Sequence, residues 1–563
     1  MRKSFFIPLL YILLIFTLSM FLRTFDVNWD QGAHIHPDER FLTMVGVAMK
    51  IPNRFSTYFD PKVSLLNPTN VNFSFFVYGI FPLVLTKIYA VLFQFDSYEK
   101  FNLLGRFLSA VFDSLTVLVI LKIGFLLKKR YNLSIFFPYL AGFFYAIAVF
   151  PIQQSHFFTV DTFANFFAFT ALSLAIDYWN NRKSILFLLS GIFFGISVSC
   201  KITSAYILPL IAYYLILGLF HKYHLSFSFR KFLKTPIFPF LIAFFVYALT
   251  SYTSMRLTDP YIFDTGNFFT PTINKTFLAN LQTLKAYDNP AAWYPPGVQW
   301  IHKTPILFGA QNIAIFGIGI PYTLFLFLGF FLTLLKYRKT SLAICLIWTI
   351  GIIIFQGVQY VQAMRYYYII YPFLAIFSAL GASILIKKNI LLLGLTFIFV
   401  SIWTAAFFSI YTKPLSRVTA SLWIDNHIPA NKLLLGEYWD DPLPLPLKNQ
   451  PFINFQGQML PVFDADTPEK WATIYTALNK SNYLILSSNR GWGSIPTVPE
   501  RYPLMTKFYH DLFNGKLAYK KVAEFTSYPS LSYLGIPITI PDDFADESFT
   551  VYDHPKVMIF EKQ

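Results

Sequence analysis

Long apolar runs separated by short polar breaks dominate the chain up to residue 410. A helix that crosses a bilayer needs about 20 apolar residues. Twelve stretches approach that length: 4–22, 73–95, 107–127, 134–151, 157–176, 184–200, 202–220, 236–253, 305–335, 341–358, 366–386 and 390–410. The first follows Met1-Arg2-Lys3, as a signal peptide would. No small-x-small cleavage site follows it and further spans do, so it reads as an uncleaved helix. After residue 410 the pattern changes to frequent proline and short β-like runs. There 419–427 reads as a helix leading into a strand at 433–436, and Asp466-Thr-Pro-Glu469 as a capped helix start. Runs at 483–487, 522–525, 549–552 and 557–560 read as strands. The expected domains are a transmembrane domain over 1–410 and a small α+β domain over 411–563.

Composition supports this division. Of 563 residues 55% are hydrophobic, 20% aromatic and 13% charged, against about 25% charged in soluble domains. That balance excludes a soluble enzyme, a disordered chain and a collagen-like fibre. Cys200 and Cys345 lie far apart in apolar runs, so no disulfide framework is expected. Residues 411–563 hold 14 basic and 16 acidic side chains, while 1–410 hold 31 and 13. The basic excess sits in short clusters between apolar segments. It is the positive-inside signal of a membrane protein rather than a nucleic-acid surface.

Those clusters orient the chain. With all twelve stretches spanning and the N-terminus inside, Lys128-Lys129-Arg130, Arg182-Lys183, the 222–234 cluster, 336–339 and Lys387-Lys388 would face outward. If 73–95 does not cross, they all lie inside with Arg2 and Lys3. That segment carries Pro82 and Lys87 and follows Asn67-Pro68-Thr69-Asn70, which suits an amphipathic or re-entrant piece at the outer face. The expectation is an all-α polytopic membrane protein of about eleven transmembrane helices in the cell membrane, with its N-terminus cytoplasmic and its α+β domain extracytoplasmic. This arrangement gathers Asp26, Asp30, His34, His36, Asp38, Glu39, Arg106, His156, Asp161, Lys201 and Arg365 at one membrane face. Ionisable groups beside a membrane core are expensive and mark function.

Three clusters carry the candidate chemistry. In the first outer loop, Asp30, His34, His36, Asp38 and Glu39 admit a metal site, a general base, or simple capping of the helix that begins at Pro37. The base reading is preferred, because two acids in a first helical turn stay ionised, and zinc sites favour other spacings. Gln154, His156 and Asp161 stand at the outer entrance of the 157–176 span, where Asp161 is either functional or a structural partner for a neighbouring helix. Arg106, Lys201 and Arg365 each open or follow a span. Singly they suit snorkelling anchors, and together they suit a seat for an anionic headgroup. Trp293 and Trp300 offer flat faces for a sugar, or membrane-interface anchors. In the C-terminal part, Asp440-Asp441 reads as a solvated turn, with a metal or sugar site as the alternative.

Several of these pieces resemble one known family. They are His36-Pro-Asp38-Glu39-Arg40-Phe41, Gly105-Arg106-Phe-Leu-Ser109, Gln154-Ser-His156-Phe-Phe-Thr-Val-Asp161, Gly191-Ile-Phe-Phe-Gly195 leading to Lys201, and Arg365-Tyr with Tyr371-Pro372. In that order over 1–410 they resemble the membrane-embedded glycosyltransferases of the C superfamily. The likeness is closest to the family 39-like bacterial branch related to protein O-mannosyltransferases and the lipid A aminoarabinose transferase. The resemblance implies juxtamembrane helices in the first outer loop, a polyprenyl-phosphate-linked sugar as donor, and inverting transfer to a hydroxyl acceptor on a protein, lipid or glycan. It implies Asp38 as catalytic base with Glu39 beside it, and Lys201 and Arg365 on the lipid phosphate. Arg106 joins these as a further phosphate ligand and, with Asp161, shapes the acceptor and sugar site. His36, His156, Gln154 and Trp293 are substrate-binding candidates. Asp30 is a rival base, because it precedes an acidic pair that usually stands alone.

The residue types fit that chemistry. A carboxylate takes the acceptor proton, cations neutralise a departing phosphate, and no nucleotide loop is needed. No cofactor is expected, and a divalent metal is a secondary possibility. Two rivals remain. A transporter or flippase of an anionic lipid or solute predicts internal repeats and broken helices at mid-membrane, and a membrane scaffold gives no use for the ionisable groups.

Overall fold

The computed structural model describes residues 2–222, 238–386, 389–448 and 453–563. Most of the 222–234 cluster, and Lys387-Lys388, lie outside the described residues. The protein is a multi-pass helical membrane protein whose C-terminal region carries a five-stranded sheet. Among the described residues six helices are long and apolar enough to cross a membrane. The pair Leu307–Gly317 and Ile320–Leu335, bent by 120°, makes a seventh if taken as one span.

Several of the apolar stretches take other forms. The 73–95 stretch, expected not to cross, carries the twelve-residue helix Phe81–Leu92, about 18 Å long at 1.5 Å per residue and short of a membrane core of about 30 Å. The 134–151 stretch is broken into Phe137–Ala146 and Val149–Ser155. The helices Ser184–Cys200 and Ser341–Gly357 have 17 residues each.

The break between Phe137–Ala146 and Val149–Ser155 frees backbone carbonyls in a place without water, and charged side chains answer it. Arg23, in α1 (Arg2–Thr24), donates to the carbonyls of Ala146 (2.7 Å) and Tyr145 (3.1 Å), and Thr404 donates to that of Ile147 (2.5 Å). The Arg23 charge is matched by Asp113 at 2.6 Å, and both side chains are fully buried. Asp113 also accepts from Tyr145 (2.6 Å) and from the Tyr368 hydroxyl. Close packing elsewhere uses glycine: a Cβ at Gly329 would meet the Phe377 carbonyl, and one at Gly381 the Phe325 carbonyl. Without these Cβ atoms the helices Ile320–Leu335 and Tyr371–Ile386 approach backbone to backbone.

The sheet has the order β2-β1-β3-β5-β4. Strand β1 (Leu433–Glu437) runs parallel to β2 (Gln456–Leu460) and β3 (Tyr483–Leu486), and β5 (Val557–Lys562) runs antiparallel to β3 and β4 (Tyr519–Phe525). β2 was not expected, because Gln-Gly-Gln-Met-Leu lacks branched residues and apolar alternation. The helix Pro468–Lys480 is capped by Thr467 rather than by Asp466, whose carboxylate instead accepts from the backbone N–H groups of Leu504 and Met505.

The expected strand at 549–552 is instead a helical turn, Glu547–Thr550. Phe549 is fully buried against Phe316 and Phe407 of the helical region. The backbone there is tied to the same region: Asp546 N–H donates to Asn312 (2.7 Å), Glu547 N–H to Gln299 (3.1 Å), and Gln153 to the Phe549 carbonyl (2.7 Å). With its polar groups so engaged, the segment has none left for a sheet ladder. Asp553 extends the seam, accepting from Gln153 and from the Tyr411 hydroxyl (2.8 Å). His554 lies buried between Asp553 (2.5 Å) and Asp542 (3.0 Å).

Two outcomes follow. Asp113→Ala strands the buried Arg23 charge and lowers stability by about 3–5 kcal/mol, read as a fall in unfolding temperature in detergent. Burial alone would lower the pKa of His554, but Asp553 and Asp542 raise it to about 10. Its stabilisation is thus complete below pH 6.5 and fades toward pH 10 by about 1.4 kcal/mol per unit. His554→Asn removes that alkaline decline from a stability-against-pH profile.

Candidate functional site

Helix α2 (Pro37–Ala48) sets the site. Its N-cap is His36, whose Nδ1 accepts from the Glu39 N–H at 3.4 Å. Burial lowers the His36 pKa to about 4, which keeps the ring neutral and able to accept. Adjacent residues on a helix diverge by about 100°, so Asp38 and Glu39 face different surroundings.

Glu39 turns inward to Arg106. Nε of Arg106 donates to Glu39 (2.5 Å), Nη1 to Asp30 (3.0 Å) and the Val27 carbonyl (2.9 Å), and Nη2 to Asp30 (2.7 Å) and Glu39 (2.9 Å). These bonds use all five guanidinium donors, and the three side chains are at most 1% exposed. Burial opposes the Asp30 charge, but Arg106 holds its carboxyl below the ordinary value. Arg106 thus has no donor left for a further partner, and the Asp30 and Glu39 carboxylates are both engaged by it.

Asp38 faces the other way. Its carboxylate pairs with Arg365, whose Nη2 also reaches Asp161 at 3.3 Å, and Asp161 in turn accepts from Lys201 at 2.5 Å. The order carboxylate, guanidinium, carboxylate, ammonium brings together four groups that the sequence spreads over 328 positions, Asp38 to Arg365. Asp38, Arg365 and Lys201 keep 23%, 24% and 19% exposure, unlike the Arg106 cluster. Burial would raise the Asp38 pKa. The Arg365 charge, the nearby His36 and a hydrogen bond from Tyr78 instead hold it well below the ordinary carboxylate range.

Tyr78 and Tyr366 are site residues the sequence reading missed. Tyr78 arrives because Gly79 docks on the turn that carries Lys201: its N–H donates to the Cys200 carbonyl at 3.1 Å, and a Cβ there would collide with that backbone. A glycine inside an apolar stretch was the available signal. Tyr366 neighbours Arg365 in sequence, and its ring lies 5.7 Å from the Lys201 ammonium.

A cavity of about 510 Å³ opens beside these groups, with Asp161, Lys201 and Arg365 among its lining residues. Ile202, Tyr206 and Phe355 also line it, and each is well exposed. The remaining candidates lie elsewhere. His156 is buried, with its ring nitrogens 2.9 Å from the carbonyls of Ile152 and Phe25 and its face on Tyr411. Gln154 is buried, and it is the neighbouring Gln153 that reaches the C-terminal segment. His36 is held between Phe157 and Tyr552. Their surroundings are those of packing residues. Trp293 is 54% exposed and stands edge-on to Trp439.

Asp440-Asp441 is no solvated turn. Arg417 binds both carboxylates, at 2.5 and 3.1 Å, and Arg40 reaches Asp441 at 3.3 Å. Among the described residues no group of three His, Cys, Asp or Glu side chains is arranged to hold a metal ion. His34 packs edge-on to Tyr98 and His36 caps α2, so the two imidazoles share no site.

No protein-family model matches the chain, and no curated protein does. Solved structures do. The oligosaccharyltransferase AglB from Archaeoglobus fulgidus, in complex with an inhibitory peptide and a dolichol-phosphate, is similar at a TM-score of 0.51 and 13% identity. The match covers 98% of this chain and 88% of that one. The apo form of the A. fulgidus oligosaccharyltransferase gives 0.51 and 14% over the same shares. ArnT from Cupriavidus metallidurans in the apo state gives 0.49 and 12%, covering 93% and 97%. The likeness to the archaeal enzyme is one of fold.

The two charge clusters predict different behaviour. Arg106→Ala leaves two buried carboxylates unpaired and destabilises the fold by about 3–5 kcal/mol. Lys201→Ala leaves Asp161 still paired with Arg365, so its unfolding temperature stays near that of the unaltered protein.

Proposed function

We propose that the protein is an inverting glycosyltransferase. It moves a sugar from a polyprenyl-phosphate donor to a hydroxyl acceptor at the extracytoplasmic face of the membrane. The carrying observation is the Asp38–Arg365–Asp161–Lys201 chain beside a cavity whose lining is mostly apolar. A lipid-linked phosphate has the same polarity: an anionic head on an apolar tail. The fold is compatible with such a ligand, since one similar structure is recorded with a dolichol-phosphate. The accompanying topology is about eleven crossings with the N-terminus cytoplasmic.

In this reading Lys201 and Arg365 bind the donor phosphate and neutralise it as the bond from the anomeric carbon to the phosphate oxygen breaks. The acceptor oxygen attacks that carbon from the opposite side, and Asp38 takes its proton. Arg365 also sets the timing. Without donor it holds Asp38 as a weak base; a phosphate that draws the guanidinium away raises the basicity of Asp38 when the donor is in place. Tyr78 keeps the carboxylate aimed. The reaction as written needs no cofactor or metal.

The transporter reading gains a broken helix pair but no polar site at the break. The Phe316 carbonyl there is satisfied by Trp403 at 2.8 Å, and Phe544 and Phe549 pack against the Phe316 ring. These contacts support the transferase reading.

The test is release of lipid phosphate by purified protein in nanodiscs, supplied with polyprenyl-phosphate sugars with and without EDTA. Asp38→Asn is expected to lower transfer by roughly 10²–10⁴-fold with donor binding retained. Lys201→Ala is expected to raise the donor KM by roughly 10- to 100-fold. Full activity of Asp38→Asn removes the base assignment, loss of turnover in EDTA restores a metal, and silence with every donor favours transport.

A further inference from the structure

The C-terminal region does more than cover the bundle. The same Glu547–His554 segment that is tied to the helices delivers a side chain to the cap of the helix that bears Asp38. The Tyr552 ring lies 4.3 Å from His36, the cap of the helix that bears Asp38, and stands edge-on to Phe157. The charges of Arg490, Glu547, Asp38 and Arg365 all act on its hydroxyl, which makes no hydrogen bond among the described residues.

Arg490 comes from the same region. Its Nε donates to Glu547 at 2.7 Å and its Nη1 to the Trp439 carbonyl at 2.5 Å, while Gln299 holds the second Glu547 oxygen at 2.8 Å. The guanidinium is thus fixed in position, and its Nη2 has no partner among the described residues. Tyr294, which lines the cavity on the donor side, is also within reach of the charges of Asp38 and Glu547. Near Asp38 therefore lie the cations with their cavity, and also a phenol and a guanidinium nitrogen that make no hydrogen bond among the described residues.

Charge decides what the phenol and the guanidinium accept. Asp38 and Asp161 are matched by Arg365 and Lys201, and Glu547 by Arg490. The donor phosphate adds negative charge, so an anionic acceptor would be repelled and a cationic one would find no free carboxylate. Phenol rings with polar edges suit a ligand whose faces are apolar and whose rim carries hydroxyls.

Resting on the transferase reading, we propose that Tyr552 and Arg490 form the acceptor side of the site, and that the acceptor is a neutral, hydroxyl-rich carbohydrate. Tyr552 and Arg490 hydrogen-bond hydroxyls flanking the one that reacts and bring it to Asp38. The C-terminal region is then required for recognition of the acceptor and has no part in holding the donor.

The experiment measures steady-state transfer in nanodiscs with two acceptor panels, neutral tetrasaccharides and serine- or threonine-bearing peptides. For Tyr552→Phe the acceptor KM is expected to rise about 10-fold, the worth of one hydrogen bond to a polar ligand, with the donor KM unchanged. Tyr552→Ala is expected to raise it further. Binding of a neutral tetrasaccharide without donor, followed by calorimetry, should weaken in parallel. Unchanged acceptor KM in both variants, or transfer to peptides alone, overturns the proposal while the transferase reading stands. No lipid-phosphate release by the unaltered protein with any donor is the separate failure of the transferase reading, and the acceptor assignment falls with it.

Discussion

A charge taken out of water must be neutralised where it lies, and in this protein the fully buried Arg106 enforces that rule on everything around it. Its five donors tie the loop after α1, through Asp30 and Val27, to the first turn of α2, through Glu39. Glu39 also accepts from the Phe158 N–H at 3.0 Å, which fixes the approach to the helix Asp161–Asn181. Once Glu39 is pinned inward, helix geometry leaves Asp38 no direction but outward. The outward carboxylate meets Arg365, and Arg365 brings Asp161 and Lys201 into line. The rigid, saturated cluster thus positions the open, exchangeable one. Only the second keeps exposed atoms that a substrate could reach.

The same rule explains how the sheet region is held. Helix breaks in the bundle expose carbonyls, and polar side chains must reach them because no water is at hand. Arg23 and Asp113 meet one break, and Trp403 meets another. Around the second break Phe549 and the groups that tie residues 546–553 down fasten the C-terminal segment to the helices. The C-terminal region is therefore anchored by the irregularities of the membrane domain. Anchoring at that place brings Tyr552 against His36, the cap of the helix that bears Asp38.

Asp38, Asp161, Lys201 and Arg365 were legible in the sequence as ionisable groups at span entrances, a placement that is costly without function. The neighbouring candidates were equally legible, and the reading could not divide them. Arg106 and Arg365 both open apolar helices, yet one has no free donor and the other stands at a cavity. His156 looked like a ligand because histidine beside an aspartate often is one, but packing on Tyr411 and two backbone carbonyls accounts for it. Tyr78 carried no charge and no motif, so only the close approach of Gly79 to Cys200 discloses it. The turn at Glu547–Thr550 was taken for a strand because its alternation of apolar and polar residues has two physical causes. A sheet produces it, and so does a single phenylalanine inserted into a neighbouring core.

Hydropathy and composition by themselves determined that this is a multi-pass helical membrane protein with a mixed α/β region after residue 410. Those properties sum over many residues and need no knowledge of contacts. Charge along the chain determined which loops are rich in cations, and the ordered motifs pointed to one superfamily. Tertiary structure alone decided which of two adjacent carboxylates is buried, which keeps some exposure, and which arginine is saturated. It alone decided that the last twenty residues reach the site. Those outcomes depend on distances between groups hundreds of positions apart, set by how helices break and pack, and such distances leave no trace in the local order of residues.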